Sequence, residues 1–243
     1  MSSSTAEFLS KIDMMYNFVK SATDLELRDE DWLTNVLSSV GLYNDGRMHP
    51  ENTNVHIYGE DVKYMNKIVN TGMWQIPRQL AQYLIKLSSF KNIETFLEVG
   101  TSSGCTSTVI AIYLMRFGLK MLQTVDITKY VNSSLEQKWL MLDLPIDYKI
   151  IPNDGDFTKH LPLHKYDVVF IDGNHDYKYV SADYNNAKRI TSLITFHDIN
   201  DCFCVDVVRL WNEIKASHLY KDIFEFTFHS HGYKLMGIGL LSL

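Results

Sequence analysis

The sequence predicts an α/β fold built on a doubly wound sheet, and three observations carry that prediction. Four apolar runs each end on a carboxylate: Thr95-Phe96-Leu97-Glu98, Leu122-Gln123-Thr124-Val125-Asp126, Val168-Val169-Phe170-Ile171-Asp172 and Ile194-Thr195-Phe196-His197-Asp198. Runs of this length and composition read as buried parallel strands. Segments of helical periodicity alternate with them, which argues for right-handed crossovers. Two last extended segments, 223–228 and 233–241, flank the short turn Ser230-His231-Gly232 and read as a terminal antiparallel hairpin. In an open sheet of this kind ligands bind outside the carboxyl ends of the strands. Four acids gathered at that edge serve a site better than a core.

The elements follow in order. Residues 1–70 read as a helical appendage, a cap or an oligomer contact, with residues 71–243 as the main domain. Phe8, Leu9, Ile12, Met15, Tyr16 and Val19 fall at helical spacing, as do Trp32, Leu33, Val36, Leu37 and Val40. The stretch 43–58, with His49, His56 and Tyr58, is rich in Asn, Gly, Pro and His and reads as a loop. Pro77 suits the first turn of a helix running to about Ser89. Strand 94–99 then leads through a glycine-containing turn into a helix from Gly104 to Phe117, and strand 121–126 into a helix at 133–142. A third strand is expected at 147–151, a fourth at 166–172 before a helix at 177–190, and a fifth at 193–197 before a helix at 203–217.

Composition narrows the function. The chain has 243 residues, 46% of them hydrophobic, enough for one large core. The net charge of −6 and the lack of a long basic run weigh against nucleic acid as a partner. The three cysteines, Cys105, Cys202 and Cys204, are too few and too oddly spaced for a disulfide framework and read as free thiols. No apolar stretch approaches the ~20 residues that span a bilayer. The polar start at Met1–Glu7 lacks the regions of a signal peptide. A soluble, cytoplasmic protein is the expectation. His229 and His231, beside the hairpin turn, read as solvated.

The turn Glu98-Val99-Gly100-Thr101-Ser102-Ser103-Gly104 joins a strand to a helix whose first N–H groups are unpaired. An acid before the turn fits a cationic or hydroxyl-bearing ligand better than a phosphate. Asp126, at the end of the next strand, stands where an acid accepts hydrogen bonds from ribose hydroxyls. On these motifs residues 74–243 resemble the class I S-adenosylmethionine-dependent methyltransferases, whose first motif is acid-x-Gly-x-Gly-x-Gly. Ser102 stands where the middle glycine usually sits. The resemblance implies a Rossmann-like seven-stranded sheet and S-adenosylmethionine as cofactor. It assigns Glu98, Gly100 and Gly104 to the methionine end, Thr101 and Ser102 to the cofactor site, Asp126 to the ribose, and Asp156 of Asn153-Asp154-Gly155-Asp156 to the adenine side.

Asp167-Val168-Val169-Phe170-Ile171-Asp172-Gly173-Asn174-His175, Phe196-His197-Asp198 and Trp74-Gln75-Ile76-Pro77 resemble a narrower branch. That branch contains the macrocin-type sugar O-methyltransferases and is related to the cephalosporin-hydroxylase-like proteins. It implies that Asp172 and Asp198 bind a divalent metal, magnesium foremost, and that His175 is the base. Asp172 would touch the cofactor as well. His197 replaces the Glu of the sugar enzymes and joins the metal set. The implied activity is O-methylation of a sugar, glycan or similar small hydroxylated acceptor. Two alternatives remain beside it. One is a hydroxylase-like metalloenzyme that uses His175, His197 and Asp198 as two imidazoles and a carboxylate. The other is a non-catalytic cofactor-binding module, with 1–70 as its interaction surface.

Overall fold

The computed structural model describes residues 3–40, 73–162, 165–227 and 236–242. The predicted loop 43–58, the domain boundary at 70/71, and the hairpin turn with His229 and His231 lie outside these residues. The N-terminal helices are α1 (Ser3–Ser21), α2 (Asp24–Leu27) and α3 (Glu30–Val40). The alternating part follows as α4 (Pro77–Ser89), β1 (Thr95–Val99), α5 (Cys105–Leu114), β2 (Met121–Asp126), α6 (Ser133–Met141) and β3 (Ile146–Ile150). It continues as β4 (Val168–Ile171), α7 (Tyr177–Ile190), β5 (Leu193–His197), α8 (Val205–Ala216), β6 (Asp222–Phe226) and β7 (Ile238–Ser242).

The seven strands form one sheet in the order β3-β2-β1-β4-β5-β7-β6. The pairs from β3 through β5 are parallel, and β7 pairs antiparallel with both β5 and β6. The expected terminal antiparallel pair is therefore present, with β7 inserted between β5 and β6. Strand order reverses between β1 and β4, so the crevice of a doubly wound sheet opens there.

Local chemistry explains several boundaries. Ile76 is extended, as the residue before a proline must be, and Pro77 occupies the first helical turn of α4. Asn132 caps α6 by accepting the Ser134 N–H at 2.8 Å. In α2, Thr23 and Glu26 form a reciprocal capping box. The helix expected from Gly104 to Phe117 tightens into a 3-10 turn at Met115–Phe117 before Gly118 ends it.

Each face of the sheet has its own core. On one side Phe96, Leu122, Val168 and Phe170 pack with α4, α5 and α6, and the same cluster takes in Phe8, Ile12 and Met15 of α1 and Leu33 and Leu37 of α3. Polar links fix that docking. Arg116 donates to the Val19 and Ala22 carbonyls at the end of α1, at 2.6 and 3.0 Å. Tyr113 donates to the Leu27 carbonyl at 2.8 Å, and Arg78 pairs with Glu30 at 2.6 Å. On the other face Leu97, Val169, Ile194 and Phe196 pack against α7 and α8. There Trp211 lies flat on Gly239, where an added Cβ would meet the indole at 2.5 Å. No helix among the described residues is long and apolar enough to cross a membrane.

Candidate functional site

The carboxyl edge of the sheet carries two adjoining clefts. The first, about 320 Å³, is walled by Val99, Val125 and Ile151 on its apolar side and by Asp126, Asn153 and Asp183 on its polar side. The second, about 390 Å³, is lined by Trp74, Thr101, Thr106, His175, His197 and Cys204. Gly100, Ser102, Asp172 and Gly173 border both. These four sit in the turns after β1 and β4, at the point where strand order reverses.

The turn after β1 is tight enough to require its glycine. Gly100 has φ +99°, and a Cβ there would meet the Asp172 carbonyl oxygen at 2.1 Å. Ser102 has φ +48°, the left-handed region that favours glycine. The residue that departs from the glycine-rich motif the sequence resembles thus keeps a glycine-like backbone. The Ser102 N–H donates to Asp126 Oδ2 at 2.9 Å and the Thr128 N–H to Oδ1 at 3.2 Å. These bonds orient the Asp126 carboxylate at the wall of the first cleft. Gly104, φ +78°, starts α5 under Trp139.

Glu98 lies elsewhere. It is fully buried and lines neither cleft. Ser107 donates a hydrogen bond to it, and Thr124 donates another at 2.6 Å. Thr124 is its register partner on β2, so both side chains stand on the same face of the sheet. Burial pushes the Glu98 carboxyl up to about 8 despite these two donors. Thr101 joins the same group, with its hydroxyl 2.7 Å from that of Thr124. Asp156 borders the first cleft, while its carboxylate caps the turn by accepting from the Thr158 N–H and hydroxyl and from Arg189. Asp183 on α7 also faces this cleft, and burial raises its carboxyl to about 6.

The structure brings Asp172, His175, His197 and Asp198 together at the second cleft. His197 Nδ1 donates to Asp172 Oδ1 at 3.1 Å and lies 3.3 Å from Asp198 Oδ2. His175 Nε2 reaches the same Asp198 oxygen at 3.1 Å. Gln75 donates to Asp172 Oδ2 at 3.3 Å. Burial alone would lower the His197 imidazole, but the Asp172 and Asp198 carboxylates outweigh it and hold it well above its ordinary value. Burial would likewise raise the Asp198 carboxyl, yet His197 and His175 hold it below its usual range. Asp198 also has φ +60°, a strained backbone at the end of β5. The buried His197 Nε2 and Gln75 Oε1 have no hydrogen-bond partner among the described residues.

Two members of this site escape the motifs read in the sequence. Gln75 sits in Trp74-Gln75-Ile76-Pro77, a segment singled out only as a whole. Cys204 has its Sγ 3.3 Å from His175 Nδ1. It caps α8, and the short loop from Asp198 returns it to the site. Its spacing from Asp198, six residues along the chain, was the available signal. Burial and the Asp198 and Asp201 carboxylates push its thiol up.

Residues 97–199 match a family model described as a methyltransferase domain. No curated protein matches the chain by sequence. Solved structures share the fold. The O-methyltransferase TomG from Streptomyces achromogenes, in complex with SAM, is 14% identical with a TM-score of 0.55, over 74% of this chain and 85% of that one. An O-methyltransferase from Bacillus cereus in complex with SAH gives 14% and 0.55, over 76% and 90%. A putative RNA methyltransferase from Pyrococcus horikoshii gives 13% and 0.52, over 87% and 94%. At such identities the likeness is one of fold, and that fold is the Rossmann-like sheet of the class I methyltransferases.

Proposed function

From a chain with the class I methyltransferase fold, whose residues 97–199 match a methyltransferase domain, we propose an S-adenosylmethionine-dependent O-methyltransferase acting on a sugar, glycan or similar small hydroxylated acceptor. The observation that carries the reading is the pair of clefts sharing Gly100 and Asp172, one suited to an adenosyl group and the other holding a cluster able to take a proton.

The first cleft fits the cofactor on its own chemistry. Val99, Val125 and Ile151 offer an apolar slot for a flat base, and the oriented Asp126 carboxylate offers acceptors to vicinal hydroxyls. The missing Cβ of Gly100 lets a ligand approach the backbone. Bound there, S-adenosylmethionine would supply the electrophilic methyl group. The chain's own residues then position the acceptor and remove its proton.

His175 is the residue best suited to the proton. Its side chain is 45% exposed at the cleft, Asp198 holds Nε2, and Nδ1 can accept the proton once it parts from the Cys204 thiol 3.3 Å away. Asp198 also stabilises the imidazolium that forms. Asp172, with one oxygen toward His197 and one toward Gln75, is a rigid acceptor beside the shared wall of the two clefts. A divalent cation fits the Asp172 and Asp198 carboxylates, and His197 could join as a third ligand only after giving up a ring proton; the ligand atoms of the three lie within 4.8 Å of one another. Bound there it would lower the pKa of the acceptor hydroxyl.

The test is transfer of labelled methyl from S-adenosylmethionine to a panel of sugar and catechol acceptors, with and without EDTA. Transfer to a hydroxyl that is lost in His175→Ala and Asp172→Ala supports the reading; full activity in both variants overturns the assigned roles. One observation favours a second reading. His175 and His197 each contact Asp198 Oδ2, which sets two imidazoles beside one carboxylate, the residue types used by non-haem iron oxygenases. Stoichiometric iron in protein purified without added metal would favour it.

A further inference from the structure

Two sets of donors meet at Asp198, and they differ in access. Asp172, His197 and Asp198 form a closed set, in which the His197 side chain is 2% exposed and its Nδ1 already lies between both carboxylates. His175, Asp198 and Cys204 form an open set at the cleft mouth, with their ligand atoms also within 4.8 Å of one another. Cys204 Sγ is 3.3 Å from His175 Nδ1, and Asp198 Oδ2 is 3.1 Å from Nε2. One ring nitrogen of His175 can ligate at a time, and Cys204 and Asp198 contact different nitrogens. A turn of the His175 ring or of the Cys204 side chain is therefore needed to bring sulfur, carboxylate and one nitrogen to the roughly 3.3–3.8 Å that separates donors on one tetrahedral ion. Asp172 and Asp201 add negative charge around the thiol, an environment that favours a cation over a free nucleophilic thiolate.

We propose that His175, Asp198 and Cys204 form a thiolate-containing transition-metal site of the zinc class at the mouth of the acceptor cleft. Three protein donors with one open side are the arrangement of catalytic zinc sites, where water or substrate takes the fourth position. Thiolate with imidazole selects zinc, iron(II) or cobalt(II), whereas magnesium prefers oxygen donors alone. Binding breaks the Cys204 S–H bond, forms a sulfur–metal bond and releases one proton to solvent. The inference rests on the methyl-transfer reading only for what the ion does, namely acidify the acceptor hydroxyl. With the ion bound, His175 is a ligand, and its free-base role belongs to the metal-free protein.

The full chain, stripped with chelator, is titrated with Co²⁺. The expected result is one equivalent bound, with a thiolate-to-cobalt charge-transfer band in the near ultraviolet. Cys204→Ser, checked for folding by circular dichroism, loses that band. It also binds Zn²⁺ more than about tenfold more weakly, a loss that even an outer-sphere partner can cause. Cys202→Ser keeps both properties. Zn²⁺ protects Cys204 from iodoacetamide and Mg²⁺ does not. Absence of the band in the parent protein, its persistence in Cys204→Ser, or equal alkylation with and without Zn²⁺ overturns the site. Calorimetry with S-adenosylhomocysteine on the same samples separates the two claims. Normal binding without the band overturns only the metal site, and the band without such binding overturns only the methyl-transfer reading.

Discussion

The two clefts at the sheet edge are neighbours that share a wall, yet they are built differently. The first is made largely of backbone and apolar surface, with Asp126 held in place by two backbone N–H groups. The second is made of side chains that constrain one another, with Asp198 between two imidazoles and Asp172 between His197 and Gln75. A cofactor common to a whole fold can be held by the shape of a turn. A particular reaction needs titratable groups whose states are set by their neighbours. The difference teaches that the first cleft depends on chain geometry and the second on charge.

If so, the largest single effect belongs to Gly100→Ala. The new Cβ would strike the Asp172 carbonyl at 2.1 Å from a backbone at φ +99°. A loss of about 3 kcal/mol or more is expected, read as a drop in thermal midpoint together with loss of S-adenosylhomocysteine binding. An unchanged melting curve would break the claim that geometry builds the first cleft.

Asp198→Asn comes next and tests the second. It removes the charge that two imidazoles face, and about 3 kcal/mol of stability should go with it. Cofactor affinity should change far less, because Asp198 does not line the first cleft. Equal loss of both properties would show that the clefts are not separable.

Glu98 sharpens the contrast through pH. Its folded-state carboxyl titrates at about 8 against an ordinary 4.5, so between these values the unfolded state has released a proton that the folded state keeps. The unfolded state binds fewer protons there, and stability falls as pH rises, by up to about 1.4 kcal/mol per unit, then levels above the folded value. Glu98→Gln should remove this slope, as followed by urea denaturation between pH 5 and about 9. A parallel pH profile in the variant would contradict a buried, protonated Glu98. The smallest effect is Ser102→Gly, which relieves the left-handed backbone at φ +48° and should stabilise by about 0.5–1 kcal/mol.

Much of this architecture is legible in the sequence because the physics is local. The helix at 177–190 and the strand at 193–197 emerge with the bounds read from periodicity. The acids stand at strand ends because apolar runs must stop where the sheet meets water. What the sequence does not reveal is the face each acid presents. Asp172 and Asp198 lie one residue beyond β4 and β5, free to turn into the cleft, whereas Glu98 lies one residue inside β1. The two-residue alternation of a strand therefore aims Glu98 at Thr124 and Ser107. Cys204 and Gln75 were hidden for another reason: a loop return and a segment before α4 carry them in, and neither follows a periodicity. The inserted strand β7 is likewise a matter of long-range pairing, which residue patterning along one segment does not encode.

The central claim is that the first cleft holds an adenosyl cofactor through Asp126. Calorimetry with S-adenosylhomocysteine on the parent chain and on Asp126→Ala tests it most directly. One site per chain is expected in the parent and at least about tenfold weaker binding in the variant, the worth of roughly 1.4 kcal/mol from lost charge-assisted hydrogen bonds. No binding to the parent chain, or equal affinity in Asp126→Ala, would contradict it.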